Sequence, residues 1–257
     1  MKELKGKTAI ITGASRGIGK AIAITLAKLG INLVIAARGK EELEATAEEI
    51  SNKMKVEVLA VPCDVSKLSD LENLVKETLA RFKKIQILIN NAGVSSQYPF
   101  EKQPIEDFER LAHTNYLGYV RLIRLVINHM IEQKEGAIIN MVSGSTLCDP
   151  LPRNFLVYSS LKVGLRAFSK GLFWELRDYG IKVTSILPGV TDTELTGKLH
   201  DVTMDKSRLM TTEAIEKAVV FALTVPANVC PLEIAVINQQ TPWTKPVIPL
   251  QQKHPEK

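Results

Sequence analysis

The chain has 257 residues, 45% hydrophobic and 24% charged, which suits one large folded unit with a substantial core. Its net charge of +5 is dispersed, Lys and Arg alternating with Glu as in "RGKEELEATAEEISNKMK", with no basic block or aromatic–basic pattern of the kind that binds nucleic acid. No stretch is long and apolar enough to span a bilayer, and "MKELKGKTAIITGASRGIG" has neither signal-peptide nor transit-peptide character. Three scattered cysteines, Cys63, Cys148 and Cys230, form no CxxC, so a reduced cytoplasmic protein without disulfides or metal is expected.

The first apolar run, "TAIITG", is short and rich in Ile and Thr, and predicts a strand. It runs into "ITGASRGIGKAIA", where Gly13, Gly17 and Gly19 supply bends before a helix that Gly30 should close with a left-handed cap. A glycine turn between strand and helix offers backbone N–H groups and positive potential to a pyrophosphate, with Ser15, Arg16 and Ile18 inside the turn. The spacing is TGxxxGIG, and without a Walker Lys-Ser pair it argues against an NTPase.

The second run, "INLVIAAR", ends at Arg38, where sites that prefer NAD place an acid for the ribose 2′-hydroxyl. With no carboxylate at that strand end, and with Arg16 able to approach from the glycine turn, the pattern favours NADP(H). Further runs follow at "VEVLAVP", "IQILINNAG", "GAIINMVS", "IKVTSILPG" and "LEIAVIN". Amphipathic stretches separate them, such as "DLENLVKETLARF", in which Leu71, Leu74, Val75, Leu79 and Phe82 recur at helical spacing. The alternation predicts an α/β fold: a Rossmann-like, doubly wound parallel sheet of about seven buried strands with helices on both faces. Residues 1–240 read as one catalytic domain and 241–257 as a proline-rich tail that packs over the site or against a neighbouring subunit.

In order, "TGASRGIG", "CDV", "NNAG", Asn115 in "HTNYLG", "IINMVS", "YSSLK" and "LPGVTDT" resemble the short-chain dehydrogenase/reductase family over nearly the whole chain. The resemblance implies that Asp64 binds the adenine amino group while Val65 packs on the ring. It implies that Asn91, Ala92 and Gly93 line the adenosine ribose, and that Asn90 ties strands together. Pro188, Gly189, Thr191 and Thr193 would hold the nicotinamide half, Thr191 mainly through its backbone.

Tyr158 and Lys162 lie four apart, on one face of a predicted helix. Carbonyl reduction needs a proton at oxygen, and a phenol with an ordinary pKa near 10 is a sluggish donor unless a nearby ammonium lowers it. Small neighbours Ser159 and Ser160 leave room for packing. The resemblance adds that Lys162 holds the nicotinamide ribose, that Asn115 supports a water in a proton relay, and that a serine at the end of the fifth strand orients the substrate oxygen. Counting back from Tyr158 points to Ser145; strand register points to Ser143 and is the firmer guide. Val142 stands where the family has another serine.

The substrate, a small carbonyl or alcohol, is expected to meet Leu147, Leu151, Phe155, Leu195, Leu199 and Met204, with "SSQYPFEK" also near. The stretches "YLGYVRLIRLVINHMIEQ" and "LKVGLRAFSKGLFWELRDYG", the latter with Phe168, Phe173 and Trp174, are expected to build a homodimer or homotetramer, as the resemblance implies. An NADP(H)-dependent enzyme is the leading reading, and an NADP(H)-sensing protein without turnover is the rival.

Overall fold

All seven apolar runs become strands: β1 (Thr8–Thr12), β2 (Asn32–Ala37), β3 (Val58–Pro62), β4 (Ile87–Asn90), β5 (Gly136–Met141), β6 (Ile181–Pro188) and β7 (Glu233–Val236). The computed structural model describes residues 4–197 and 204–244. The strands form one parallel sheet in the order β3-β2-β1-β4-β5-β6-β7. The chain winds outward from β1 through β2 to β3, then returns to set β4 on the other side of β1. That reversal opens a crevice at the carboxyl ends of β1 and β4, where α/β sheets bind ligands.

Strand alternation feeds two apolar layers. Ile10 lies opposite Leu88 and Ile11 opposite Ile89. Ile10 and Leu88 join the layer under α3 (Leu68–Phe82) and α5 (Gly118–Gln133). Ile11 and Ile89 join the layer under α1 (Gly17–Lys28), α2 (Lys40–Lys53) and α8 (Glu213–Thr224). Each such side chain contributes about 1.5–3 kcal/mol by leaving water. The expected stripe of α3 is realised: Leu71, Leu74 and Val75 are buried, and Leu79 and Phe82 pack against the same layer. Gly30 takes a φ of +79° just after α1, and its N–H donates to Ala27 O at 2.9 Å, closing the helix as its sequence position predicted.

The expectation of seven buried strands needs one correction. β3 and β7 are the sheet edges and are mostly only part-buried, because each has a neighbour on one side alone. The other helices are α4 (Ile105–Ala112), α6 (Leu156–Leu176) and the short α7 (Glu194–Gly197). Among the described residues no helix is long and apolar enough to cross a membrane, and no cluster of metal-ligand residues occurs. The three cysteines are free thiols.

Candidate functional site

At the end of β1 the chain turns through Gly13 with φ +67°, and a Cβ there would stand 2.7 Å from the Ala92 Cα. Only glycine permits this approach. The partner strand is pinned in turn: the Thr12 hydroxyl accepts the Asn91 and Ala92 N–H groups at 3.0 and 3.1 Å, and Asn91 Nδ2 donates to the carbonyls of Thr12 and Gly13. Gly13, Ser15, Arg16, Gly17 and Ile18 line a cleft of about 1230 Å³. Gly19 stands just behind this lining: its missing Cβ would fall 2.2 Å from Gly13 O, so it permits the helix to seat on the turn. No side chain caps the first turn of α1, and no acid lies in it.

Arg38, Asp64 and Val65 border the cleft beyond the glycine turn. Burial pushes the Asp64 carboxyl up, but hydrogen bonds from Ser66, with Arg38 and Lys67 nearby, outweigh it and hold the group below its ordinary value. A second correction concerns acids here. No carboxylate ends β2, but Glu42 reaches in from α2, and its Oε2 accepts the Ser15 hydroxyl at 2.9 Å.

Ala92, Gly93 and Asn91 form the opposite wall. Asn90 lies behind it, donating to Asn140 Oδ1 at 2.9 Å, and so ties β4 to β5 as expected. Asn115 is fully buried in a single π-helical turn, His113–Leu117, that joins α4 to α5. Such widened turns recur at functional sites. The side chain of Asn115 is committed to Val94, accepting its N–H at 3.1 Å and donating to its carbonyl at 2.8 Å.

Ser143 follows β5, and Tyr158 and Lys162 sit one turn apart on α6; all three face the cleft. The Ser143 hydroxyl accepts Ser145 N–H at 3.1 Å and lies on the same cleft lining as Tyr158. Lys162 is only 3% exposed; its Nζ donates to Met141 O at 2.8 Å and stands 4.8 Å from the centre of the Tyr119 ring. The electrostatics differ from expectation. Burial raises the Tyr158 phenol, and the opposing influence is the hydrogen bond with Ser143, not the charge of Lys162. Burial likewise drives Lys162 from an ordinary 10.5 to about 7, weakening it as a cation. Ser145 also lines the cleft, but its hydroxyl is buried without a partner among the described residues. Ser159 is buried, whereas Ser160 is exposed on the outer face of α6 and packs no site.

A family model for short chain dehydrogenases matches residues 7–203. The chain belongs to that family. An uncharacterized oxidoreductase of Staphylococcus epidermidis is 31% identical over 236 residues, 92% of this chain and 99% of the relative. Among solved structures, an alcohol dehydrogenase from the archaeon Thermococcus sibiricus, complexed with 5-hydroxy-NADP, is 30% identical with a TM-score of 0.82, covering 90% of this chain and 95% of that one. A 3-ketoacyl-(acyl-carrier-protein) reductase from Brucella melitensis, complexed with NADH, is also 30% identical with a TM-score of 0.83, covering 91% and 98%. This short-chain dehydrogenase is thus an oxidoreductase.

Its cleft fits a dinucleotide on its own geometry. The tight glycine turn, an uncapped helix start and two arginines, Arg16 and Arg38, all border it. At the far end Pro188, Gly189, Thr191 and Thr193 line the wall. The Thr191 hydroxyl donates to Gly189 O at 3.2 Å, and its carbonyl accepts the Thr196 hydroxyl at 2.7 Å.

On the substrate side the outcome is mixed. Phe155 and Leu195 line the cleft; Leu147, Leu151 and Met204 do not, and Leu199 falls outside the described residues. Leu147 faces solvent, because its short 3₁₀ turn directs Ser145 inward instead. From "SSQYPFEK", Ser95, Ser96, Gln97 and Tyr98 contribute. The start of the tail does pack over the site. Trp243 lines the cleft with its ring 6.5 Å from Phe155, held by a bridge to Met204. Residues 245–257 lie outside the described part. Sequence reasoning missed Thr12, Glu42, Tyr119 and Asn238, and named the tail without singling out Trp243. Only Asn238 carried a visible signal: a polar residue directly after a strand, here accepting Val190 N–H and donating to Val190 O, each at 2.8 Å.

Proposed function

We propose that this short-chain dehydrogenase interconverts a small-molecule carbonyl and its alcohol, with NADP(H) as the preferred cofactor. The convergence of Ser143, Tyr158 and Lys162 on one cleft, the last two one turn apart on α6, is the observation that carries the reading. When bound, the nicotinamide supplies or accepts the hydride. Tyr158 delivers its proton to the carbonyl oxygen in reduction and withdraws one from the alcohol in oxidation. Ser143 donates to the same oxygen and holds it against the phenol. Lys162 would hold the nicotinamide ribose hydroxyls, and its fixed bond to Met141 O sets where its remaining protons point. Asn115, its side chain bonded to both the N–H and the carbonyl of Val94, would support the relay water.

Arg38 and Arg16 support the NADP(H) preference, since a guanidinium pairs well with a 2′-phosphate. Asp64 and Val65 would take the adenine, Asn91, Ala92 and Gly93 the adenosine ribose, and Pro188, Gly189, Thr191 and Thr193 the nicotinamide half. Leu156, Val163 and Trp174 are exposed on α6, an apolar face that fits a homodimer or homotetramer. Free thiols, without a membrane-spanning helix among the described residues, suit the cytoplasm.

The test follows NADPH absorbance against a panel of ketones, aldehydes and 3-oxo compounds. Turnover is expected, falling about a hundredfold to ten-thousandfold in Tyr158→Phe with NADPH binding retained. Tight NADPH binding without turnover across the panel would instead mark a sensor. In Arg38→Gln the preference for NADPH over NADH should shrink; a wild type that prefers NADH refutes the role of Arg38.

A further inference from the structure

The corner of the cleft that would meet the adenosine ribose holds more negative charge than a phosphate site needs. Glu42, in the first turn of α2, accepts the Ser15 hydroxyl at 2.9 Å and lies 3.4 Å from Arg16 Nη1. On the other edge of the same guanidinium, Glu194 at the start of α7 pairs with Arg16 Nε at 2.7 Å. Arg16 is thus already divided between two carboxylates. Arg38 has no ion pair to either acid among the described residues, although its charge reaches Asp64.

We infer that Glu42 is a specificity-determining residue that opposes the 2′-phosphate and narrows the preference for NADP(H) over NAD(H). The inference rests on the nucleotide-dependent reading above. A 2′-phosphate can use Arg16 only by displacing Glu42 from it or by lying beside a like charge. A 2′-hydroxyl carries no charge, and it can donate a hydrogen bond to the same carboxylate. Glu42 therefore weighs against one cofactor and not the other. The groups involved are about half exposed, so the effect is one of modest fold-changes and is screened by salt.

Equilibrium titration of the full chain with NADPH and NADH, and with the fragments 2′,5′-ADP and 5′-ADP, separates the adenosine corner from catalysis. Glu42→Gln keeps an acceptor for Ser15 while removing the charge, and should bind NADPH and 2′,5′-ADP about fivefold tighter at low salt. NADH and 5′-ADP should hold steady or weaken by about twofold. Glu42→Ala should tighten NADPH in the same direction. Glu41→Gln, which removes an exposed charge next door, should change neither cofactor by as much. NADPH binding that is unchanged or weaker in Glu42→Gln overturns the inference and makes Glu42 a support that steadies Arg16. A wild-type chain that binds neither nucleotide has a different signature: it overturns the nucleotide-dependent reading, and this inference with it.

Discussion

The Lys162 ammonium donates to the Met141 carbonyl at 2.8 Å, joining the middle of α6 to the end of β5. This bond ties the helix that carries the phenol to the strand that leads to Ser143. It also holds a cation where water is scarce, and the cost of that burial is the source of the first prediction.

Burial lowers Lys162 to about 7, while the unfolded chain keeps the ordinary 10.5. Between these values the unfolded state binds the extra proton, so stability rises with pH across the window. At or below pH 7 the burial penalty is fully present, and it fades as pH approaches 10.5. Lys162→Met, though it forfeits the bond to Met141, should unfold at higher temperature near neutral pH, by about 1–3 kcal/mol, while losing activity. The gain should shrink in melts run toward pH 10. An equal gain at all pH values would refute the burial explanation.

Ser143 and Ser145 can be separated by pH profile. The Ser143 hydrogen bond lowers the Tyr158 phenol against the upward push of burial. Ser143→Ala should therefore cut kcat by about a hundredfold and move the alkaline limb of the reduction profile to higher pH. Ser145→Ala should leave that limb in place and act on KM alone. Loss in Ser145→Ala with retention in Ser143→Ala would reverse the assignment.

Arg166 sits one turn beyond Lys162 on α6. Its Nη1 donates to Thr146 O at 3.0 Å, and its Nη2 pairs with Glu233 of β7 at 2.9 Å. The serine-bearing turn is thereby held between helix and sheet edge. Arg166→Met should lower kcat about tenfold through misplacement of Ser143, with NADPH affinity unchanged. Arg166→Lys should restore part of it. If kcat holds and only the melting temperature falls, the arginine is structural.

Trp243 closes the substrate end of the cleft beside Phe155. Trp243→Ala should raise the KM of the carbonyl substrate by about tenfold while NADPH binding stays within about twofold. Parallel losses in both would place the indole against the cofactor instead.

The sequence by itself determined the sheet and most of the residues that line the cleft. Strand runs and glycine spacing are local patterns, and backbone geometry forces their consequences: Gly13 must turn left-handed, and Tyr158 and Lys162 must share a helix face. Asn90 was legible as a strand tie only through the family resemblance; register along β4 and β5 sets it opposite Asn140. Tertiary structure alone decided what depends on side chains brought from afar. Glu42 reached Ser15 across 27 positions, and Arg166 reached Glu233 across 67. The sign of the shift at Tyr158 likewise came from burial, which no spacing encodes. Desolvation is a property of everything packed around a group, whereas a motif records only its chain neighbours, so the site's layout could be read from the sequence and its electrostatics could not.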